Sequence, residues 1–183
     1  MPKYTKESMT KFINEGLLDP VEDIDEFLEN CNSTQKKILL MLIFLIGARP
    51  CELIKLKKES FKKDKYCLTI SIETSKRGMF RKIDLPMRTK YVQEIWDYVK
   101  TLLIGQRLFW TITESYQVRN IVYKATDNKY PPYFFRHNRF SIISNKGASP
   151  NEIKYLKGAR NLFSVEPYIH ISEFQRRKLM KYF

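Results

Sequence analysis

Leu45-Ile46-Gly47-Ala48-Arg49-Pro50-Cys51-Glu52-Leu53 closes one segment of helical spacing and opens another, and this corner decides how the rest of the chain is placed. Before it runs the longest apolar stretch, residues 38–46, with the Asn32-Ser33-Thr34 cluster in position to cap it and Gly47 in position to end it. The pattern predicts a buried helix, because the run is far short of the roughly 20 residues that cross a bilayer. After the corner, residues 51–56 resume a helical period. Arg49 therefore stands where two helices meet, with Glu52 three positions on, near enough for an ion pair within one turn.

A guanidinium held at such a corner can fork onto the non-bridging oxygens of a phosphodiester. Three later segments carry complementary chemistry: Thr74-Ser75-Lys76-Arg77-Gly78, Tyr133-Phe134-Phe135-Arg136-His137, and Gly158 followed by Tyr168. They supply a second arginine, Arg136, a lysine able to protonate a leaving oxygen, Lys76, and a tyrosine able to attack phosphorus, Tyr168. Taken singly, each has an ordinary reading. Arg49 can simply pair with Glu52, Lys76 can be a solvated surface lysine, Arg136 can sit on a basic helix face, and Tyr168 is one of 11 tyrosines. Their order and spacing single them out.

The composition is consistent with an anionic partner. Thirty-three Lys and Arg against 20 Asp and Glu leave a formal charge of +13 across 183 residues, enough to collect polyanions in a salt-dependent way. Nucleic acid is the leading partner, although ribosomal, membrane-surface and thermophile proteins share this balance. The length and 43% hydrophobic content support one well-cored domain. The cysteines Cys31, Cys51 and Cys67 are odd in number and lack ligand-like spacing, and there are two histidines, so neither a disulfide framework nor a zinc site is indicated. The polar, charged first residues do not read as a signal peptide, and a cytoplasmic location is expected.

Helices are expected over 5–15, 23–30, 33–47, 90–104, 113–125 and 133–145, the last ended by Gly147. Ser149-Pro150-Asn151-Glu152 has the form of a capping box with proline at the first helical position, so another helix starts there. Residues 66–73 and 80–85 alternate as strands around a turn containing Ser75-Lys76-Arg77-Gly78, and Pro86 closes the second strand. The expected fold is mainly α with a small antiparallel β-sheet or hairpin, an α+β domain. The basic tail, residues 172–183, is amphipathic, with Phe174, Leu179 and Phe183 available either for a neighbouring protomer or for its own subunit.

These segments resemble the boxes of the tyrosine recombinase and integrase family. The stretch around Arg49 resembles the Gly-x-Arg-x-x-Glu-Leu box, in which the arginine clamps the scissile phosphate and the glutamate, here Glu52, orients it. Residues 71–86 resemble the β-hairpin segment that carries the general-acid lysine, here Lys76, with Arg77 in the turn and Arg81 on the returning strand. The third box is His-x-x-Arg-His, and in this chain Tyr133 replaces its first histidine while Arg136 and His137 match. Leu156-Lys157-Gly158 resembles the Leu-Gly-His segment, and the interval from Arg136 to Tyr168 fits the box spacing. The family carries His or Trp directly after the glycine, where this chain has Ala159 and then Arg160.

The resemblance implies a tyrosine recombinase catalytic-domain fold over the whole chain, without the N-terminal core-binding domain. It implies a site-specific recombinase that cuts and rejoins double-stranded DNA attachment sites through a 3′-phosphotyrosyl bond, with no metal or cofactor. The enzyme would be tetrameric on DNA and monomeric in solution, with no membrane partner, in a prokaryotic host or its virus or plasmid. Arg49, Arg136, Lys76 and Tyr168 inherit the central roles. Tyr133 or His137 handles the tyrosine proton, and Glu52, Arg160, Arg77 and Arg81 serve DNA contact or support. A telomere-resolving or type IB topoisomerase-like activity shares this chemistry. A catalytically silent DNA-binding module, or a basic RNA-associated protein with fortuitous motifs, are the readings outside it.

Overall fold

Helix α2, Thr34–Ile46, is apolar on every side and buried from Ile38 to Ile46, so its neighbours must surround it. Ser33 caps its first turn, accepting the Lys36 backbone N–H, and Gly47 ends it in the left-handed conformation. The computed structural model describes residues 20–74 and 80–166. The expected helix over 5–15, the turn bearing Lys76 and Arg77, Tyr168 and the amphipathic tail lie outside the described residues.

Around α2 pack α4 (Val92–Lys100), α5 (Ser115–Ala125) and α6 (Pro132–Asn145), with α1 (Asp25–Glu29) against α5. Short α3 (Pro50–Leu53) follows the Gly47 corner, and α7 (Pro150–Lys157) lies on α6 behind the expected Ser149–Glu152 capping box. The hairpin is present: β2 (Cys67–Glu73) pairs antiparallel with β3 (Phe80–Pro86), from Cys67 opposite Pro86 to Glu73 opposite Phe80. Leu68, Ile70 and Ile72 of β2 and Ile83 and Leu85 of β3 face the core, as period-two alternation requires. A third strand, β1 (Phe61–Lys63), adds to the outer edge of β2; at three residues it is too short for a sequence period to show.

Three boundaries differ from expectation. The helix expected over 90–104 runs only from Val92 to Lys100, because Tyr91 is left-handed (φ 71°) and the chain turns after Thr101. Leu103 and Ile104, assigned to its apolar face, are exposed; the Leu103 N–H donates to Gln106 Oε1 at 2.9 Å, and the returning segment is fixed where the Leu108 N–H donates to the Leu56 carbonyl at 2.8 Å. Helix α3 stops at Leu53, so Leu56 is buried from a turn rather than from a helix. The helix expected from 113 starts at Ser115, since Gln117 Oε1 accepts the N–H groups of Thr113 and Glu114 and fixes both ahead of the first turn.

The segment entering α1 is bound twice. Asn138 on α6 accepts from the Val21 N–H at 3.0 Å and donates to the Val21 carbonyl at 2.7 Å, as a paired strand would. The Tyr91 hydroxyl lies 2.9 Å from an Asp23 carboxylate oxygen and 2.7 Å from one of Asp25, its single proton shared between them, and Lys90 forms ion pairs with both carboxylates.

Candidate functional site

Arg49 is the N-cap of α3, held extended at φ −74° and ψ 149°, with Pro50 at the first helical position. Glu52, at the third, turns back: its Oε2 accepts the Arg49 backbone N–H at 3.0 Å and its Oε1 accepts Arg49 Nη1 at 2.8 Å. Arg81 reaches the same carboxylate from β3, Nη2 to Oε2 at 2.9 Å and Nη1 to Oε1 at 3.3 Å. Glu52 and Arg81 are 1% and 3% exposed, whereas the Arg49 side chain is 30% exposed. One buried carboxylate thus holds two guanidiniums, and the cluster carries a net positive charge that only Arg49 brings toward solvent. Burial pushes the Glu52 carboxyl up, but the Arg81 hydrogen bonds and charge, with the bonds from Arg49, outweigh it and hold it at about 2.

Gly158 completes this support. It ends α7 in the left-handed conformation (φ +62°), and a Cβ there would stand 2.3 Å from Arg81 Nη1, so only glycine lets α7 close on the arginine.

Arg136 is 2% exposed on α6. Its Nη1 donates to the Gly47 carbonyl and its Nη2 to the Lys157 carbonyl at 2.7 Å, while the guanidinium lies 5.0 Å from the centre of the Phe140 ring. These carbonyls end α2 and α7, where helices leave acceptors unsatisfied and carry partial negative charge. Arg136 therefore locks the Arg49 corner to the Gly158 turn. Next to it, His137 is buried with its ring 4.6 Å from Tyr133 in an edge-on contact.

The structure thus brings Arg49, Glu52, Arg81, Arg136 and Gly158 into one network and sets His137 and Tyr133 beside it. Arg81 belongs to the support rather than to a DNA-facing surface, since its side chain is almost wholly buried. Lys76, Arg77 and Tyr168 lie outside the described residues, the first two between the paired ends Glu73 and Phe80. Arg160 is exposed and lines an open cleft of about 320 Å³ between β3 and α7, with Phe80, Arg81, Lys154 and Tyr155. Sequence reasoning missed Lys157, buried on α7 with Nζ donating to the Ser164 carbonyl, and only its helical phase with Ile153, four positions earlier, pointed inward. Among the described residues no group of three or more His, Cys, Asp or Glu is assembled to hold a metal, and no helix is long and apolar enough to cross a membrane.

No family model matches the chain and no curated protein matches it in sequence. Solved structures do. The XerA recombinase superposes with a TM-score of 0.63 at 15% identity, covering 98% of this chain and 76% of that one. The catalytic domain of bacteriophage HP1 integrase gives 0.60 at 18%, covering 86% and 89%. The XerH site-specific recombinase, in a pre-cleavage complex with its difH substrate, gives 0.60 at 18%, covering 81% and 49%, so this chain spans about half of that protein. At such identities the likeness is one of fold: the chain has the fold of tyrosine recombinase and integrase catalytic domains, as its boxes led us to expect.

Proposed function

We propose that the chain is a DNA strand transferase of the site-specific recombinase type, cutting and rejoining DNA through a phosphotyrosyl bond. The observation that carries this reading is the Glu52 carboxylate clasped between Arg49 and Arg81, which fixes an outward-reaching guanidinium at the corner where the fold's phosphate clamp belongs. In this reading Arg49 forks onto the non-bridging oxygens and stabilises the charge they gain. Tyr168 Oη attacks phosphorus, the bond to the 5′ oxygen breaks, and Lys76 supplies the proton that leaves with it. The Tyr168 proton passes to His137, directly or relayed through the Tyr133 hydroxyl, which gives up its own proton as it takes one. A 5′ hydroxyl then attacks the phosphotyrosyl bond and releases Tyr168, so the phosphodiester energy is kept. Arg136 orders the clamp by joining the Gly47 and Lys157 carbonyls. The partners are DNA sites, on which several copies assemble.

A second reading, a silent DNA-binding module, draws support from the burial of Arg136 against two carbonyls and from Ala159 at a donor position. Single-turnover cleavage of a nicked duplex by Arg49→Ala separates the two. The transferase reading expects DNA retention within a few-fold of wild type and covalent capture slowed by about 10²- to 10³-fold, the usual effect of losing one preorganised donor. Equal capture rates would remove Arg49 from the clamp, and retention with no capture by either protein would favour the silent module.

A further inference from the structure

The cleft between β3 and α7 has no part in the strand-transfer steps, yet it shares Arg81 with the clamp. Phe80 is 71% and Tyr155 54% exposed, and neither ring packs on another aromatic side chain among the described residues. The Tyr155 ring is already fixed, because its hydroxyl oxygen accepts the Lys82 backbone N–H on β3 at 3.1 Å. Lys154 and Arg160 add positive charge, and among the described residues no acidic side chain lines the cleft. Ala159 puts nothing beyond a Cβ into the space. Arg81 closes the wall from behind, buried against Glu52.

We infer that this cleft receives one nucleobase turned out of the duplex next to the cleaved phosphate, an inference that rests on the strand-transferase reading above. Phe80 and Tyr155 offer π faces to a planar base, which stack on any base without reading its sequence. Lys154 and Arg160 neutralise the flanking backbone phosphates. Position follows from connectivity: Arg81 lines the cleft and, through Glu52, holds Arg49, so a base seated here belongs to a nucleotide beside the one that Arg49 grips. Turning a base out costs least where pairing is already broken. The subsite therefore favours DNA with an unpaired base.

The test is a fluorescence titration of the full chain with two duplexes of one sequence, 2-aminopurine being paired with thymine in one and mismatched in the other. Wild type is expected to bind the mismatched duplex about tenfold more tightly, within the roughly 5- to 150-fold span of one base–aromatic stack. Phe80→Ala, which removes an exposed ring and leaves the core intact, and the Phe80→Ala/Tyr155→Ala double variant are expected to erase that preference while paired-duplex affinity stays within about twofold. Tyr155→Phe keeps the stacking ring and most of the preference. Equal binding of both duplexes by wild type, or a preference surviving in the double variant, overturns the subsite while leaving the transferase reading standing. Failure to bind either duplex overturns both.

Discussion

Glu52 is the residue on which most of the site depends, since a carboxylate accepting from two arginines and a backbone N–H cannot be removed without leaving Arg81 charged and buried. Breaking a buried pair of this kind typically costs about 3–5 kcal/mol. Glu52→Gln is expected to lower the free energy of unfolding on that scale in urea titrations near neutral pH. The pH dependence has a definite sign. The folded carboxyl is held at about 2, below its ordinary 4.5, so its stabilising contribution is complete above pH 4.5 and is lost as pH falls from 4.5 toward 2. Asp23, brought to about 2 chiefly by its hydrogen bond from Lys90, acts in the same direction, so the share due to Glu52 is the part of the acid slope absent from Glu52→Gln. Gly158→Ala forces a Cβ against Arg81 in a left-handed turn. The backbone alone is expected to cost about 1–2 kcal/mol, read in the same titrations, with a matching fall in DNA capture as Arg81 is pushed from Glu52.

Helix α6 joins the site to the rest of the fold, because Arg136, His137 and Asn138 are consecutive and serve three purposes: tying helix ends, packing on Tyr133, and binding the Val21 backbone. Asn138→Ala removes both Val21 hydrogen bonds and is expected to destabilise by about 1–3 kcal/mol, with faster hydrogen exchange in the segment entering α1. The residues explain which elements were legible. The α2 boundaries, the Ser149 cap and the β2–β3 hairpin each rest on local signals, namely a capping side chain, a left-handed glycine and strict alternation, and all three are present. The extended reading of residues 90–104 failed because Tyr91 and the Leu108–Leu56 hydrogen bond impose a turn through non-local contact, which no helical period records. Arg81 could have been recognised as buried, since it shares the inward phase of Ile83 and Leu85. The Arg136 contacts with the Gly47 and Lys157 carbonyls were not legible, because they join segments distant in sequence.

At the scale of the whole molecule, one apolar helix forms the centre of the described residues, the Arg49–Glu52–Arg81 cluster sits where that helix ends, and the chain carries a formal charge of +13, a balance suited to attracting a polyanion. The fold is that of recombinase catalytic domains, and the proposed chemistry adds a tyrosine to the arginine clamp. Covalent capture on a nicked duplex from which the cut strand diffuses away, wild type beside Tyr168→Phe on a denaturing gel, tests this most directly. The expected result is a protein–DNA band in wild type that is absent from Tyr168→Phe. A band that survives the substitution would contradict Tyr168 as nucleophile, and salt-sensitive DNA binding with no band in wild type would contradict strand transfer by this chain.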